Sequence, residues 1–270
     1  MRKLIALAVV CTTALVFAAV AYAANVYKVT PATTKGGGGA KGTAAKPVAK
    51  SIVFGFTAKD STGGRATPIK KYSIGFQGLK YFGKAKAFPK CSFAKINQKL
   101  ESDVRDDCKK AYVGKGLVNN RFGAAKDINA PGTCQLRLIL VNTGKGLALR
   151  LDGGNTAKPP TKCPIPVGQA INAKFAKARI GRKSSVALKF TVPDNLTKPL
   201  DPPGEENDVN NSVSVVKSSI SGKKRKVKIK GVTRKVSILS SIACGNKRTI
   251  KVTFTDLKGD SVPSKSTTKC

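Results

Sequence analysis

Apolar residues recur at every second position in several short stretches of this chain, and this spacing restricts its fold more than any other feature. Successive side chains of a β-strand point to opposite faces, so alternation marks one face for a core and the other for solvent. The alternating sets are Ile52/Phe54/Phe56, Tyr72/Ile74/Phe76, Leu136/Leu138/Leu140, Leu147/Leu149/Leu151, Val186/Leu188/Phe190/Val192, Val213/Val215, Val227/Ile229, Val236/Ile238 and Ile250/Val252/Phe254, with weaker candidates at 112–118 and 170–175. About ten strands at this spacing predict an all-β fold, a β-sandwich, for which a jelly roll is one arrangement.

The first 23 residues have the parts of a secretory signal peptide. Arg2 and Lys3 give a positive start, residues 4–20 are almost continuously apolar, and Ala21-Tyr22-Ala23 supplies the small-x-small pattern that signal peptidases cleave. We predict that residues 1–23 are removed, that the protein is secreted to an extracellular or cell-envelope location, and that no transmembrane segment remains. An uncleaved membrane anchor is the alternative, because the apolar stretch is close to the lower length limit for a spanning helix.

Residues 24–50 are predicted to form a flexible basic linker ahead of a β-sandwich domain over residues 51–270. The segment from Thr30 to Lys50 consists mostly of Gly, Ala, Thr, Lys and Pro, and it includes the four consecutive glycines from Gly36 to Gly39. Such a composition offers little apolar surface to bury, so we expect a spacer rather than part of the core.

Six cysteines follow the predicted cleavage site, and an even number in an exported chain indicates a disulfide framework. We expect sequential pairing, because each such bond closes a short stretch rich in turn residues and contributes about 3 kcal/mol in the chain-entropy model. The expected pairs are Cys91–Cys108, Cys134–Cys163 and Cys244–Cys270. A thiolate metal site is the alternative, but the sequence has no C-x-x-C spacing.

One segment, from Phe93 to Lys110, breaks the alternating pattern. Its apolar residues have helical spacing among charged ones. These residues are Ala94, Ile96, Leu100 and Val104. We therefore expect one short helix inside the loop that the first cysteine pair closes.

The sequence contains no His and no Trp. Without His, the Ser-His-Asp and Cys-His catalytic arrangements and His-ligated metal sites cannot form. Without Trp, the strongest aromatic platform for sugar rings and cations is missing. We therefore expect a protein that is not an enzyme and that uses no cofactor or metal ion.

Basic residues greatly outnumber acidic ones. With residues 1–23 removed, 48 Lys and Arg face 14 Asp and Glu, a formal net charge of +34. In the densest run, 223–230, alternate residues would put four lysines on one strand face: Lys224, Lys226, Lys228 and Lys230. We predict that this face binds a polyanion by releasing counterions from a phosphate or sulfate polymer. The alternative is a solvated face whose lysines protect an edge strand from aggregation.

A second basic cluster surrounds Gly181. We expect Arg179, Arg182 and Lys183 of this cluster to contact the same polyanion, and a solvated turn is the alternative. Lys outnumbers Arg by 39 to 11, which favours diffuse attraction to phosphate over bidentate recognition of bases. We therefore expect no sequence-specific nucleic-acid partner.

Acidic residues are concentrated in two places. A Pro-rich loop carries Asp201, Glu205, Glu206 and Asp208. Carboxylates on such a loop are potential Ca²⁺ ligands, although an exposed charged loop explains them equally well. The predicted helix carries Glu101, Asp103, Asp106 and Asp107, for which we expect a solvated face. Glycoside hydrolysis needs two carboxylates across a cleft, and the sequence places no two that way.

Several short motifs resemble a pattern found in exported, uncharacterised β-rich proteins of actinobacteria. The motifs are Phe88-Pro89-Lys90-Cys91, Cys108, Val113-Gly114-Lys115-Gly116, Phe190-Thr191-Val192-Pro193 and the strand between Cys244 and Cys270. Lys109 stands where that pattern often has Pro. The resemblance covers residues 69–270 and implies an exported β-sandwich with no activity attached.

Together these features predict an exported, disulfide-stapled protein that associates electrostatically with an anionic cell-envelope polymer or surface. Two alternatives remain open at this point. One is a hydrolase or lyase that acts on acidic polysaccharide through carboxylate, Lys or Tyr chemistry, and the other is a module that binds a specific protein. The sequence leaves the disulfide connectivity, the strand order, the ligand and the oligomeric state open.

Overall fold

The computed structural model describes residues 25–31, 33–35, 41–97, 101–124, 128–129, 131–198 and 209–270, so the predicted signal peptide lies outside the described residues. The strands within these ranges are β1 (Asn25–Val29), β2 (Thr33–Lys35), β3 (Val48–Ala49), β4 (Ser51–Asp60), β5 (Ile69–Gln77), β6 (Leu79–Tyr81), β7 (Tyr112–Ala124), β8 (Gly132–Asn142), β9 (Gly146–Gly153), β10 (Val167–Ile180), β11 (Lys183–Thr191), β12 (Val209–Ile220), β13 (Arg225–Ile229), β14 (Val232–Val236), β15 (Leu239–Ser241), β16 (Lys247–Asp256) and β17 (Ser261–Lys269). The α-helices are α1 (Ala94–Asn97), α2 (Glu101–Cys108) and α3 (Asp194–Thr197), and 3₁₀ turns occupy Lys109–Ala111 and Gly154–Thr156.

One continuous antiparallel sheet contains 12 of the described strands. Its order is β1–β4–β12–β7–β8–β9–β10–β11–β5–β16–β17, and β2 pairs with β4. From β7 to β11 it is a meander rather than the Greek-key crossings of a jelly roll. The sheet nearly closes on itself, because the Val29 amide of β1 donates to Ser264 Oγ of β17 at 3.4 Å. We call its two ends the Ser51 end and the Asp60 end, after the first and last residues of β4.

Alternate residues of these strands form one apolar interior, as the spacing predicts. Phe54 of β4 meets Phe76 of β5 edge to face with ring centroids 5.8 Å apart, and Phe56 packs on Phe254 of β16 at 5.0 Å. Neither β5 nor β16 is hydrogen-bonded to β4, so these rings meet across the interior between two packed layers. The predicted all-β, sandwich-like fold is confirmed, and both layers belong to the same sheet.

Three strands lie in the segment 24–50 that the sequence predicts to be a flexible linker. β1 pairs with β4, from Asn25 opposite Asp60 to Val29 opposite Phe56, and Tyr27 stacks on Phe254 with centroids 4.2 Å apart. The linker prediction therefore does not hold for the described parts of this segment, and the glycines 36–39 lie outside them. The low apolar content of the segment gave no indication of these strands, because two inward side chains, Tyr27 and Val29, are enough to add β1 to the core.

The disulfides confirm the predicted sequential pairing. They join Cys91 to Cys108, Cys134 to Cys163 and Cys244 to Cys270. Structural disulfides persist in oxidising compartments and are rare in the cytosol, so this protein belongs in an oxidising, non-cytoplasmic environment.

The predicted helical segment between Cys91 and Cys108 is present as α1 and α2. Ile96 and Val104 are fully buried in a second apolar cluster that includes outward-facing residues of β8, β9 and β10. Leu100 lies outside the described residues. Among the described helices, none is long and apolar enough to cross a membrane.

A buried ion pair attaches α1 to the sheet. Arg150 and Asp152, neighbours on the outer face of β9, have side chains that are 1% and 0% exposed. Arg150 donates to Asp152 Oδ1 from Nε at 2.9 Å and from Nη2 at 2.6 Å. Its Nη1 donates to the main-chain oxygens of Ile96 at 3.1 Å and Asn97 at 3.4 Å. The rigid guanidinium fork thus links one carboxylate and the end of one helix.

One buried and two half-buried tyrosines make the fold sensitive to alkali. Burial raises the pKa of Tyr27 to about 12, and it also raises the pKa values of Tyr72 and Tyr81. The unfolded chain releases these protons near pH 10, so their stabilising contribution is complete below pH 10 and is lost as the pH rises above it. Burial lowers the pKa of Arg248 to about 10, and burial and the charge of Arg248 lower the pKa of Lys50, which acts in the opposite direction over the same range.

We expect the three tyrosines to outweigh the two cations, so the protein unfolds cooperatively above pH 10. Tyrosinate absorbance and the circular dichroism of the sheet are then expected to change together in an alkaline titration. Tyrosinate absorbance that reaches its full value near pH 10 while the sheet signal is unchanged would contradict this prediction.

Candidate functional site

The basic run 223–230 contributes one strand of a two-stranded hairpin, in which β13 pairs with β14. The four lysines of the predicted polyanion-binding face are exposed: Lys224, Lys226, Lys228 and Lys230. Val227 and Ile229 pack against the apolar interior of the main sheet. The strand is therefore divided into a basic face and an apolar face as expected, while polyanion binding by these lysines stays a prediction.

Like charges are held close together on this hairpin. Lys226 lies directly opposite Lys235, an arrangement that destabilises an antiparallel pair. The turn residues Lys230 and Gly231 both have positive φ angles, 49° and 82°, as the favoured hairpin turns require. No acidic residue occurs between positions 222 and 236 of the sequence, so an external anion would relieve this repulsion.

The second predicted basic cluster lies at the turn between β10 and β11. Arg179 and Arg182 are exposed, Lys183 is half-buried, and Lys183 pairs with Ile180. The turn lies at the Ser51 end of the sheet. β5 ends there at Gln77, and Ser185, near the start of β11, pairs with Gln77. None of the three predicted residues lines the groove described next.

A large groove crosses the outer face of β4, β12, β7 and β8, and α2 contributes to its border. The part of the groove over these four strands has a volume of about 870 Å³. Past Tyr112, Val113 and Ser221 the groove continues into a second part of about 460 Å³. We call the two parts together the basic groove. Its lining residues are Ser51, Val53, Ala87, Phe88, Pro89, Arg105, Lys109, Lys110, 112–117, 137–139, 217–221, Lys223, Arg225 and Ile238.

Two glycines allow β7 and β12 to approach closely at the bottom of this groove. A Cβ atom on Gly114 would lie 2.2 Å from the main-chain oxygen of Ser219, and one on Gly116 would lie 2.3 Å from that of Lys217. Both oxygens belong to β12, so neither position tolerates a side chain without moving that strand. Lys115 between them points outward and is exposed. The Gly-Lys-Gly motif thus combines close strand packing with a basic side chain in the groove.

Every charged residue that lines the described groove is basic. The eight residues are Arg105, Lys109, Lys110, Lys115, Arg137, Lys217, Lys223 and Arg225. Sequence reasoning missed this site, because the eight residues come from five separated parts of the chain. Only Lys223 and Arg225 belong to the dense basic run at 223–230 that the sequence analysis identified.

The lining also supplies neutral groups suited to a polymer chain. Val53 and Leu117 are 43% and 44% exposed and offer apolar surface between the cations. The hydroxyls of Ser51, Ser219 and Ser221 lie in the same part of the groove. The Ser51 and Ser219 hydroxyls already donate to the main-chain oxygens of Ile220 and Lys115. Ser221 Oγ accepts from the Lys223 amide at 3.1 Å, so its own proton can be donated to a phosphate or sulfate oxygen.

Lysines also occupy the outer face of β16 and β17, at the last edge of the sheet. Lys247 lies opposite Lys269, and Lys251 lies opposite Lys265. All four are exposed, but none of them lines the basic groove. This patch carries four lysines, half the number of cations in the groove, and it lies outside the groove, so it serves as a control.

No protein-family model matches this chain, and no curated protein matches it. The function of the molecule therefore has to be inferred from its own geometry and charge.

Carboxylates are sparse among the residues that the structure describes. No group of three or more Cys, Asp or Glu side chains there is placed to hold a metal ion. Asp103, Asp106 and Asp107 of α2 are exposed, as expected for a solvated helix face. The loop residues weighed as Ca²⁺ ligands lie outside the described part of the chain: Asp201, Glu205, Glu206 and Asp208.

Proposed function

We propose that this protein is exported and binds an extended anionic polymer of the cell envelope along the basic groove. The observation that supports this most strongly is the uniform charge of the groove, where all eight charged residues among the described lining are basic. The apolar segment at 4–20 and the disulfides are consistent with export.

The shape of the site favours a polymer over a flat membrane surface. A groove with two connected parts, of about 870 and 460 Å³, contacts a chain along its length, whereas a planar surface touches only protruding residues. Five of the eight cations are lysines, which act as compact point charges toward phosphate rather than as bidentate readers of one chemical group. We therefore infer affinity for a repeating anionic chain rather than for one small anion.

The lysine face of the β13–β14 hairpin is a second contact in this proposal. Lys223 and Arg225 line the groove, and the next residues along the chain lead directly onto the exposed lysine face. Lys226 and Lys228 lie on the opposite face of β13 from Arg225, so a polymer that leaves the groove there passes around the edge of the hairpin to reach them. We infer binding rather than catalysis, because no carboxylate occurs among the described residues of the groove.

The proposal predicts strongly salt-dependent binding that requires the folded state. The full chain without residues 1–23 is to be titrated onto immobilised linear polyphosphate at increasing salt concentration. If all eight cations contact phosphates, the affinity is expected to fall by about 10³-fold between roughly 50 and 200 mM salt. A reduced and alkylated chain, verified as unfolded by circular dichroism, carries the same basic residues and serves as the control.

We expect the folded protein to bind more tightly than this control at every salt concentration. Equal affinities would mean that the fold adds nothing to the charge, and salt-independent binding would exclude an electrostatic site. Either result would contradict the proposal.

A further inference from the structure

The interior of the sheet contains a second site, chemically opposite to the basic groove. A cavity of about 100 Å³ lies between the two layers and is lined mainly by aromatic and aliphatic side chains, among them Phe54, Leu138, Leu149 and Ile171. This volume is of the same order as the ~150 Å³ engineered cavity that binds benzene in another protein. The cavity is therefore close to the size needed for one small ring or a branched aliphatic group.

Two polar atoms in the cavity lining have no hydrogen-bond partner. The Tyr72 hydroxyl and the Asn120 Oδ1 atom are both buried and unpaired, and their residues are only 5% and 6% exposed. Buried hydroxyl and amide groups almost always have a partner in folded proteins, because leaving one unpaired is costly. Two such atoms in one cavity point to a missing partner that enters from outside the chain.

The cavity lies next to a surface space at the Asp60 end of the sheet. A vestibule of about 400 Å³ adjoins it, and Asn120, Leu136, Leu196 and Asn211 line both spaces. Leu196 belongs to the short helix α3, whose position is fixed by a hydrogen bond from Asn211 Nδ2 to the Leu196 carbonyl at 2.7 Å. Asn120 thus stands where the two spaces meet, within reach of a molecule that enters through the vestibule.

The described lining residues of both spaces include no charged side chain. In a protein with so many basic residues this is a distinct environment, and it disfavours an ionic ligand because desolvating a charge there has no compensation. The unpaired Asn120 Oδ1 only accepts hydrogen bonds, so its partner has to be a donor. The Tyr72 hydroxyl can donate or accept, so it accommodates the other side of a hydroxyl group.

We propose that this cavity binds a small, uncharged amphipathic molecule, with a ring or branched aliphatic end in the interior and a hydroxyl group toward Asn120 and Tyr72. Tyr72 is held in place for this role, since its ring stacks on Phe190 with centroids 4.8 Å apart. The cavity lies on the inner face of the sheet and the basic groove on its outer face. Leu138, Ser218 and Ile220 line both spaces, but the ligand proposed for the cavity does not depend on the function proposed for the groove.

Phenol and benzene are suitable probes, because they share a ring and differ by one hydroxyl group. We expect both to bind the full-length mature chain in calorimetric titrations, with phenol about tenfold tighter or more. The side-chain amide resonances of Asn120 are expected to shift with phenol more than with benzene. Tyr72→Phe keeps the ring but removes the hydroxyl, and Asn120→Leu removes the acceptor, so each is expected to lower the phenol-to-benzene affinity ratio about fivefold.

Tyr81→Phe is the matched control. The Tyr81 hydroxyl is half-buried, donates to Asn142 Oδ1 at 2.6 Å and does not line the cavity. We expect this variant to keep the wild-type affinity ratio. Failure of both probes to bind would overturn the proposal and assign the cavity to water alone, and unchanged ratios in both Tyr72→Phe and Asn120→Leu would overturn it equally.

Discussion

Asp152→Asn is expected to lower the free energy of unfolding by about 3–5 kcal/mol, because it leaves the guanidinium of Arg150 buried without its counter-charge. The Arg150 side chain is 1% exposed, so water cannot replace the lost carboxylate without opening the contact between α1 and β9. In a domain of this size the change corresponds to a melting temperature lower by roughly 10 °C. Thermal and urea unfolding, followed by circular dichroism, measure both quantities.

Asp194→Asn is the control for this substitution. Asp194 pairs with Lys70 on the surface, where its side chain is 80% exposed, so the loss is expected to remain below about 1 kcal/mol. Hydrogen exchange adds a local readout, since Arg150 also binds the last carbonyls of α1. We expect faster exchange at 94–97 in the Asp152 variant only. Equal, small effects of the two substitutions would show that the buried pair does not hold the helices.

Neutralising four groove lysines is expected to weaken polyphosphate binding about a hundred-fold near physiological salt, and to reduce the log–log salt slope by about 3. The substitutions are Lys109→Gln, Lys110→Gln, Lys115→Gln and Lys217→Gln. All four side chains are exposed, so the fold is expected to tolerate the changes. Binding isotherms at several salt concentrations give both the affinity and the slope.

The control removes the same charge from the lysine patch on β16 and β17. Its substitutions are Lys247→Gln, Lys251→Gln, Lys265→Gln and Lys269→Gln. Charges farther away than the Debye length of about 8 Å are largely screened in physiological salt, so we expect a loss of only a few-fold. Equal losses in the two quadruple variants would mean that net charge, and not the groove, determines binding.

The core strands of this fold could be predicted because apolar residues alternate within each of them. Ile74 and Phe76 of β5 alternate with polar or small neighbours and face the interior, so burial and sequence period coincide. β17, Ser261–Lys269, escaped detection because it is mostly polar and contains Pro263. It is an edge strand, whose backbone pairing with β16 stabilises it and whose position tolerates proline.

The sites were less predictable because they depend on residues that only the fold brings together. The expected sequential pairing of the cysteines is correct, although the sequence alone leaves 15 pairings possible. The groove combines Arg137 of β8 with Lys217 of β12, which are distant in sequence and two strands apart in the sheet. Counting basic residues along the sequence identifies the run at 223–230 but not the surface of the groove. The alternating pattern predicts that Tyr72 faces the core, but nothing in the sequence marks its hydroxyl or Asn120 Oδ1 as unpaired, because an unpaired buried atom is visible only in three dimensions.

The central claim, that an anionic polymer lies in the basic groove, is tested most directly by mapping the contact on the protein. The measurement is a nuclear magnetic resonance titration of the isotope-labelled mature chain with short linear polyphosphate, recording amide shifts residue by residue. The account predicts that the largest shifts cluster at 109–117 and 217–225, with small shifts on β16 and β17. Shifts of equal size at lysines over the whole surface would contradict it, because they would show that the basic residues attract polyphosphate without forming a specific site.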